Sequence, residues 1–88
     1  MKIPGFTTQF DKDMELCIKQ RKDMTQIKSV MFDIIMENKL HEKYRDYKLI
    51  NNWKNHRECH IESDWLLIYL PKDKEVTFVR TGSHSELY

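Results

Sequence analysis

The longest apolar run in the chain reads Trp65-Leu66-Leu67-Ile68-Tyr69-Leu70. Polar residues do not interrupt it, as they would in a strand with one face in water. Such a run is typical of a central strand covered on both faces, and it is far shorter than the ~20 residues that a membrane-spanning helix needs. We therefore predict that this segment is the middle strand of a sheet.

The segments on either side of this run also have strand character. From Trp53 onward the side chains alternate with a period of two, which predicts one face with Trp53, Arg57, Cys59 and Ile61 and the other with Lys54, His56, Glu58 and His60. A turn at 71–74 and a third strand from Glu75 to Thr81 follow the apolar run. A short first strand at 2–6 would lie at an edge because of Pro4.

The first half of the chain has helical periodicity. Thr7 or Thr8 can cap a helix that starts near Gln9, and Asp23 can cap a second one. The predicted apolar faces are Phe10, Met14, Cys17 and Ile18 in the first helix, and Ile27, Val30, Met31, Ile34 and Ile35 in the second. Residues 39–52 are polar and aperiodic, as in a loop, and one helical turn within it is an open alternative. We expect an α+β fold in which a helical hairpin packs on a twisted antiparallel sheet.

Size and composition narrow the class of protein further. Residues 1–88 have room for one domain with one small core. Cys17 and Cys59 form no CxxC pair and are expected to be buried thiols. The first residues lack the apolar segment of a signal peptide, so we expect a cytoplasmic protein without a membrane partner.

The formal net charge of +1 conceals an uneven distribution. Residues 39–60 carry six Lys or Arg against three acids, whereas the rest of the chain has nine against eleven. A localised positive region favours binding to a polyanion such as RNA, although a solvated lysine-rich loop would have the same composition.

The candidate catalytic residues are His60, Asp64 and His84, all in the second half of the chain. The sequence contains no Gly-rich phosphate loop, no HExxH and no GxSxG motif. RNA carries its own nucleophile, the 2′-hydroxyl, so its cleavage needs only a base, an acid and a cation, and histidine can serve as either of the first two near neutral pH. We expect no metal or other cofactor, because His56 and His60 lie roughly 13 Å apart along a strand.

Arginines and aromatic residues complete this set of candidates. Arg57 and Arg80 can supply positive charge to the transition state, and Trp65 and Tyr88 can stack on unpaired bases. Core packing is the alternative interpretation for Trp53 and Trp65. Hydrogen bonding at the surface is the alternative for each histidine.

Two motifs resemble those of a known family. The segment from Trp53 to Tyr69 fits the pattern W-K-x-x-R-[DE]-x-H-[IV]-x-x-D-x-[IL]-L-[IV]-Y of YafQ-like toxins in the RelE/ParE superfamily. The segment from Arg80 to Tyr88 fits the family pattern R-x-G-[ST]-H-x-x-L-[FY]. The helical hairpin and Tyr47-Lys48-Leu49 agree with it as well, so the resemblance covers nearly the whole chain.

The resemblance implies a microbial-RNase-like fold and cleavage of mRNA in the ribosomal A site. It also implies a toxin of a type II toxin–antitoxin system whose partners are a cognate antitoxin, the ribosome and mRNA. By motif, His84 resembles the general acid, and His60 and Asp64 resemble residues that position RNA or assist proton transfer. The remaining matches are to further polar or aromatic positions of that site: Glu58, Arg80 and Tyr88.

The chain departs from the family at Tyr47, where many relatives have an active-site histidine. Tyrosine, with a pKa near 10, is a poor base at neutral pH, so the identity of the base stays open. Two other functions remain alternatives. One is a ParE-like toxin that acts on DNA gyrase, and the other is a nonenzymatic module that binds an antitoxin or RNA.

Overall fold

The computed structural model describes all residues of the chain as a five-stranded sheet with three helices. The strands are β1 (Ile3–Phe6), β2 (Tyr47–Lys48), β3 (Arg57–Glu62), β4 (Trp65–Pro71) and β5 (Glu75–Gly82), and the helices are α1 (Thr8–Lys19), α2 (Met24–Ile35) and α3 (His84–Leu87). The strand order is β1-β5-β4-β3-β2. The α+β architecture is therefore confirmed, except that β1 pairs in parallel with β5 and the sheet is only mostly antiparallel.

The apolar run forms β4, in the middle of the sheet, and both of its faces are covered. Trp65, Leu67 and Tyr69 join the main core, which the two long helices cover. Leu66 and Ile68 face the other side, where Leu87 packs on them. The prediction of a central strand buried on both faces is confirmed.

The two long helices begin where their capping residues predict. The side chain of Thr7 accepts a hydrogen bond from the backbone N–H of Phe10, and that of Asp23 accepts one from Thr25. The apolar face of α1 was wrong in one respect: Ile18 is 60% exposed, whereas Asp13, which the pattern leaves out, is buried. An ion pair with Arg80 of β5 explains why Asp13 can be buried.

The connection between α2 and β3 has more structure than a loop. It contains 3-10 turns at Glu42–Tyr44 and Asn51–Trp53 and the two-residue strand β2. The prediction that β3 begins at Trp53 was wrong, because Trp53 lies in a turn and packs on the face opposite Cys59 and Ile61. The alternation holds from Arg57 onward.

The segment after β5 is a short helix docked on the sheet rather than a free tail. Ser83 and Glu86 form a reciprocal capping box, and Leu87 is buried. Gly82 has a φ of +157°, and a Cβ there would lie 3.0 Å from Glu86 Oε1, so glycine permits the close return of the chain. No helix in the structure is both long and apolar enough to cross a membrane.

Candidate active site

The candidate site lies on the face of the sheet that α1 and α2 do not cover. In the β3–β4 register Glu58 is opposite Ile68 and His60 is opposite Leu66, so both polar side chains share the face on which Leu87 docks. Strand β2 places Tyr47 opposite Glu58, and α3 brings His84 and Tyr88 over the same face. The fold therefore gathers five polar or aromatic candidates from three separate segments.

The carboxylate of Glu58 is at the centre of this group and is only 1% exposed. The hydroxyl of Tyr47 donates to Oε1, and that of Tyr88 donates to Oε2. Donation to Glu58, followed by burial, raises the pKa of Tyr47 to about 12. Burial, followed by donation to Glu58, raises the pKa of Tyr88 above its ordinary value. Both phenols therefore stay protonated at neutral pH.

His60 stands between the carboxylate and the other histidine. Its Nε2 lies 3.9 Å from Glu58 Oε1, and its ring centroid lies 5.9 Å from that of His84 and 6.3 Å from that of Tyr47. The Nδ1 atom is buried and has no hydrogen-bond partner. Such groups are uncommon because they have lost their water without replacement.

Asp64, at the β3–β4 hairpin, holds His84 in place. Its Oδ1 accepts from the backbone N–H of His84 at 3.0 Å and lies 2.8 Å from ring Nδ1. These contacts, the backbone one first, lower the pKa of Asp64, so it is ionised at neutral pH. An ionised carboxylate can only accept, so Nδ1 of His84 carries the proton and Nε2 is left free for a substrate.

The other sequence candidates have different surroundings. Trp65 is 1% exposed and donates its indole N–H to Thr81 Oγ1 at 2.9 Å, so it is a core anchor and its ring offers no face to a base. Arg80 donates to Asp13 at 2.7 Å, and Arg57 lies 3.1 Å from Asp46. Both arginines thus share their charge with a carboxylate.

Two features of the structure were not visible in the sequence. Asp13 accepts from both Arg80 and the backbone N–H of Thr81, a pairing whose partners lie more than sixty residues away along the chain. A cleft of about 640 Å³ brings the side chain of Lys72 to those of Lys48 and Lys54. Arg57 also lines this cleft, which has no acidic lining residue. The basic stretch 39–60 includes Lys48 and Lys54, but the sequence did not indicate that Lys72 lies beside them.

The sequence of this chain is similar to those of known toxins. The family model described as "Bacterial toxin of type II toxin-antitoxin system, YafQ" matches residues 2–88. The mRNA interferase toxin YafQ of Escherichia coli strain B/BL21-DE3 is 40% identical over 84 residues, which is 94% of this chain and 91% of that protein. The chain belongs to the YafQ toxin family.

Solved structures of YafQ-like proteins have the same fold. The toxin in the Escherichia coli DinJ–YafQ complex superposes with a TM-score of 0.94 at 38% identity, covering 100% of this chain and 99% of that one. A metal-bound toxin from Helicobacter pylori superposes with a TM-score of 0.93 at 36% identity over the full length of both chains. In the present chain no group of three His, Cys, Asp or Glu side chains is arranged to hold a metal ion.

Proposed function

We propose that this chain is the toxin of a type II toxin–antitoxin pair and cleaves mRNA in the ribosomal A site. The observation that carries the proposal is the pair His60 and His84, whose rings lie 5.9 Å apart beside a buried carboxylate. Two imidazoles at this separation can serve the two ends of one phosphodiester transfer. Family membership and the mRNA interferase activity of its Escherichia coli relatives give independent support.

The proposed reaction uses the nucleophile that RNA itself provides. The 2′-oxygen attacks the adjacent phosphorus, and the bond from phosphorus to the 5′-oxygen of the next nucleotide breaks. His84 enters this step with a proton on each nitrogen and gives the one on Nε2 to that leaving oxygen. Asp64 stabilises the doubly protonated ring through Nδ1. The products are a 2′,3′-cyclic phosphate and a 5′-hydroxyl. No step requires a cofactor.

Charge on the phosphate also needs stabilisation in this reaction. Arg80 supplies a positive charge for this purpose, and its ion pair with Asp13 fixes the orientation of the guanidinium. Lys43 and Arg45 line a second cleft, of about 320 Å³, together with His60. Neither of these two side chains is in an ion pair within the chain, so both are available to a phosphate.

The basic cleft is proposed as a contact for RNA backbone. Lys48, Lys54 and Lys72 surround it, and none of them is in an ion pair within the chain. Phosphate neutralisation by lysine supplies sequence-independent affinity, which suits a toxin that must bind ribosomal RNA and mRNA of any sequence.

The other proposed partner is a cognate antitoxin, as in the DinJ–YafQ complexes. An antitoxin that covers the face with His60 and His84 would block RNA directly. An acidic antitoxin segment would in addition compete with phosphate for the basic region 39–57. We further propose that residues 1–88 act as one toxin domain in the cytoplasm, where translating ribosomes are found.

Induced expression in a bacterial host tests the proposed function. Primer extension on a reporter mRNA should show discrete, codon-phased cuts for the wild-type chain and none for His84→Ala. The matched control is His41→Ala, a histidine on an exposed loop whose ring accepts from the backbone of Lys43, and it should cut normally. Intact mRNA with arrested DNA replication would instead identify a ParE-like gyrase poison. Intact mRNA without any growth arrest would leave a nonenzymatic binding module.

A further inference from the structure

The buried carboxylate of Glu58 has an unusual pair of donors. One phenol binds each of its oxygens, that of Tyr47 from strand β2 and that of Tyr88 from the residue after α3. These donors lie 11 and 30 residues away along the chain, so only the fold assembles them. We call Tyr47, Glu58 and Tyr88 the carboxylate clamp. The family motif allows Phe or Tyr at the last position, and only Tyr can complete the clamp.

The clamp faces one side of His60, and the other side of that ring is unpaired. Nε2 is 3.9 Å from Glu58 Oε1, too long for a hydrogen bond but within ion-pair distance. Nδ1 is buried and has no partner within the chain, so a substrate cannot reach it, and it carries the ring proton of neutral His60. Nε2 is therefore the nitrogen that can accept a proton from a substrate hydroxyl. The negative charge of Glu58 beside Nε2 stabilises a proton bound there.

Other charged or titratable groups also surround His60. His84 faces it from α3, Tyr88 lies beyond His84, and Tyr47 faces it from β2. Lys43, Arg45 and Glu62 line the same cleft as His60. Among the acidic side chains, Glu58 alone has an oxygen within 4.0 Å of an imidazole nitrogen of His60. The clamp is therefore the main anionic influence on this ring.

We propose that His60 is the proton acceptor in the cleavage reaction and that Tyr47 and Tyr88 are positioning residues that control it through Glu58. The inference deepens the proposed function and rests on it. Nε2 of His60 takes the proton of the 2′-hydroxyl as the bond from the 2′-oxygen to phosphorus forms. The bond to the 5′-oxygen breaks, and His84 supplies the proton for that oxygen. His60 thus ends protonated and His84 neutral.

The two phenols adjust how strongly Glu58 favours protonated His60. Each donated hydrogen bond draws negative charge toward the phenol and away from the imidazole. Removing one phenol leaves more of the negative charge of Glu58 facing His60, so the ring holds a proton at higher pH. The same arrangement accounts for the loss of a family histidine at position 47, because a phenol that donates to Glu58 is not required to accept a proton.

Tyr88→Phe is the decisive variant, since it removes one hydroxyl and keeps the ring. In single-turnover cleavage of labelled mRNA on programmed ribosomes, we expect the acid limb of the pH–rate profile to move up by about half a pH unit or more. The matched control is Tyr69→Phe, which removes a phenol that lies in the main core, on the other face of the sheet, and binds a different carboxylate, Asp46. It should leave the profile unchanged. His60→Gln should lower the rate by about 100-fold or more at every pH.

A measurement on the free protein separates this inference from the proposed function. Side-chain ¹⁵N NMR of the full chain follows the protonation of His60 without ribosomes, and Tyr88→Phe should raise its midpoint in the same direction. Suppose that neither the wild type nor any variant cleaves mRNA, yet the midpoint of His60 still moves in Tyr88→Phe. The effect of the clamp on His60 would then be confirmed and the proposed function refuted. If Tyr88→Phe moves neither readout, or Tyr69→Phe moves both equally, the clamp is refuted. Near wild-type cleavage by His60→Gln would refute His60 as the acceptor.

Discussion

Leu87→Ala tests whether the last helix must be docked for His84 to act. Leu87 is 8% exposed and packs against Leu66 and Ile68 on the face that carries the site. It is the only buried side chain of the four-residue helix α3. Because so short a helix is not stable alone in water, its position depends on this contact and a few hydrogen bonds.

The free energy that docking of α3 loses in Leu87→Ala follows from the burial of this side chain. Truncating a buried Leu to Ala costs about 2–5 kcal/mol, and Leu87, in a cluster of only three buried residues, belongs at the low end, about 2–3 kcal/mol. The remaining anchors are the Ser83–Glu86 capping box, worth about 1 kcal/mol, and the exposed contact of His84 with Asp64. A loss of about 2–3 kcal/mol lowers the ratio of docked to undocked helix by roughly 30- to 160-fold.

Two measurements on Leu87→Ala follow the docking and its consequence. Amide hydrogen exchange at Leu87 and Tyr88, whose N–H groups donate to Ser83 and His84, reports the docked fraction. Single-turnover cleavage on programmed ribosomes reports activity, and we expect the rate to fall by up to the same factor, roughly 30- to 160-fold. Leu87→Met, which keeps the volume, is the control and should stay within about 1.5 kcal/mol of wild type.

One result would refute this reasoning. If Leu87→Ala loses amide protection in α3 yet cleaves at the wild-type rate, a docked position is not needed and His84 acts from a mobile segment. A lower rate without any loss of protection would mean that Leu87 acts otherwise than by docking the helix.

The remaining predictions concern the base, the basic cleft and the response to acid. Tyr47→Phe should cleave within about tenfold of wild type, because the phenol stays protonated with its pKa at about 12; a loss as large as that of a missing catalytic group would make the phenol the base. Simultaneous replacement of Lys48, Lys54 and Lys72 by Ala should weaken ribosome binding and flatten its dependence on salt, measured by cosedimentation across a salt series, and an unchanged slope would remove the cleft from the RNA contact. The depressed pKa of Asp64 means that its ionised form stabilises the docked helix above the ordinary carboxyl pKa and that this contribution disappears as pH falls through the folded value. Amide protection in the last helix should therefore drop below about pH 4 in wild type and depend less on pH in the Asp64→Asn variant.

Much of the fold was predictable because its signals are local. An unbroken apolar run marked β4, a period of 3.6 marked the helices, and Thr7 and Asp23 marked where they begin. Where such local signals are weak, the elements were not predicted. The two residues of β2 are too few to show a period, and α3 is held by a capping box and one buried leucine.

The candidate site divides in the same way. The sequence by itself singled out His60, Asp64 and His84 as candidate catalytic residues, because they lie in dense motifs whose residue types suit RNA cleavage, and their catalytic roles stay a prediction. It did not determine that Trp65 is enclosed by the core or that Arg80 is bound to Asp13.

Only the tertiary structure decided which side chains of the site contact one another. Glu58 accepts hydrogen bonds from two tyrosine hydroxyls, one 11 residues before it and one 30 residues after it. Asp13 binds Arg80, which lies 67 residues away along the chain. Spacing along the chain carries no record of such contacts, because they arise when strands and helices pack and bury polar groups that must then find partners. The sequence therefore indicates the candidate residues of the site, whereas the packing that buries their polar groups decides which of them bind one another.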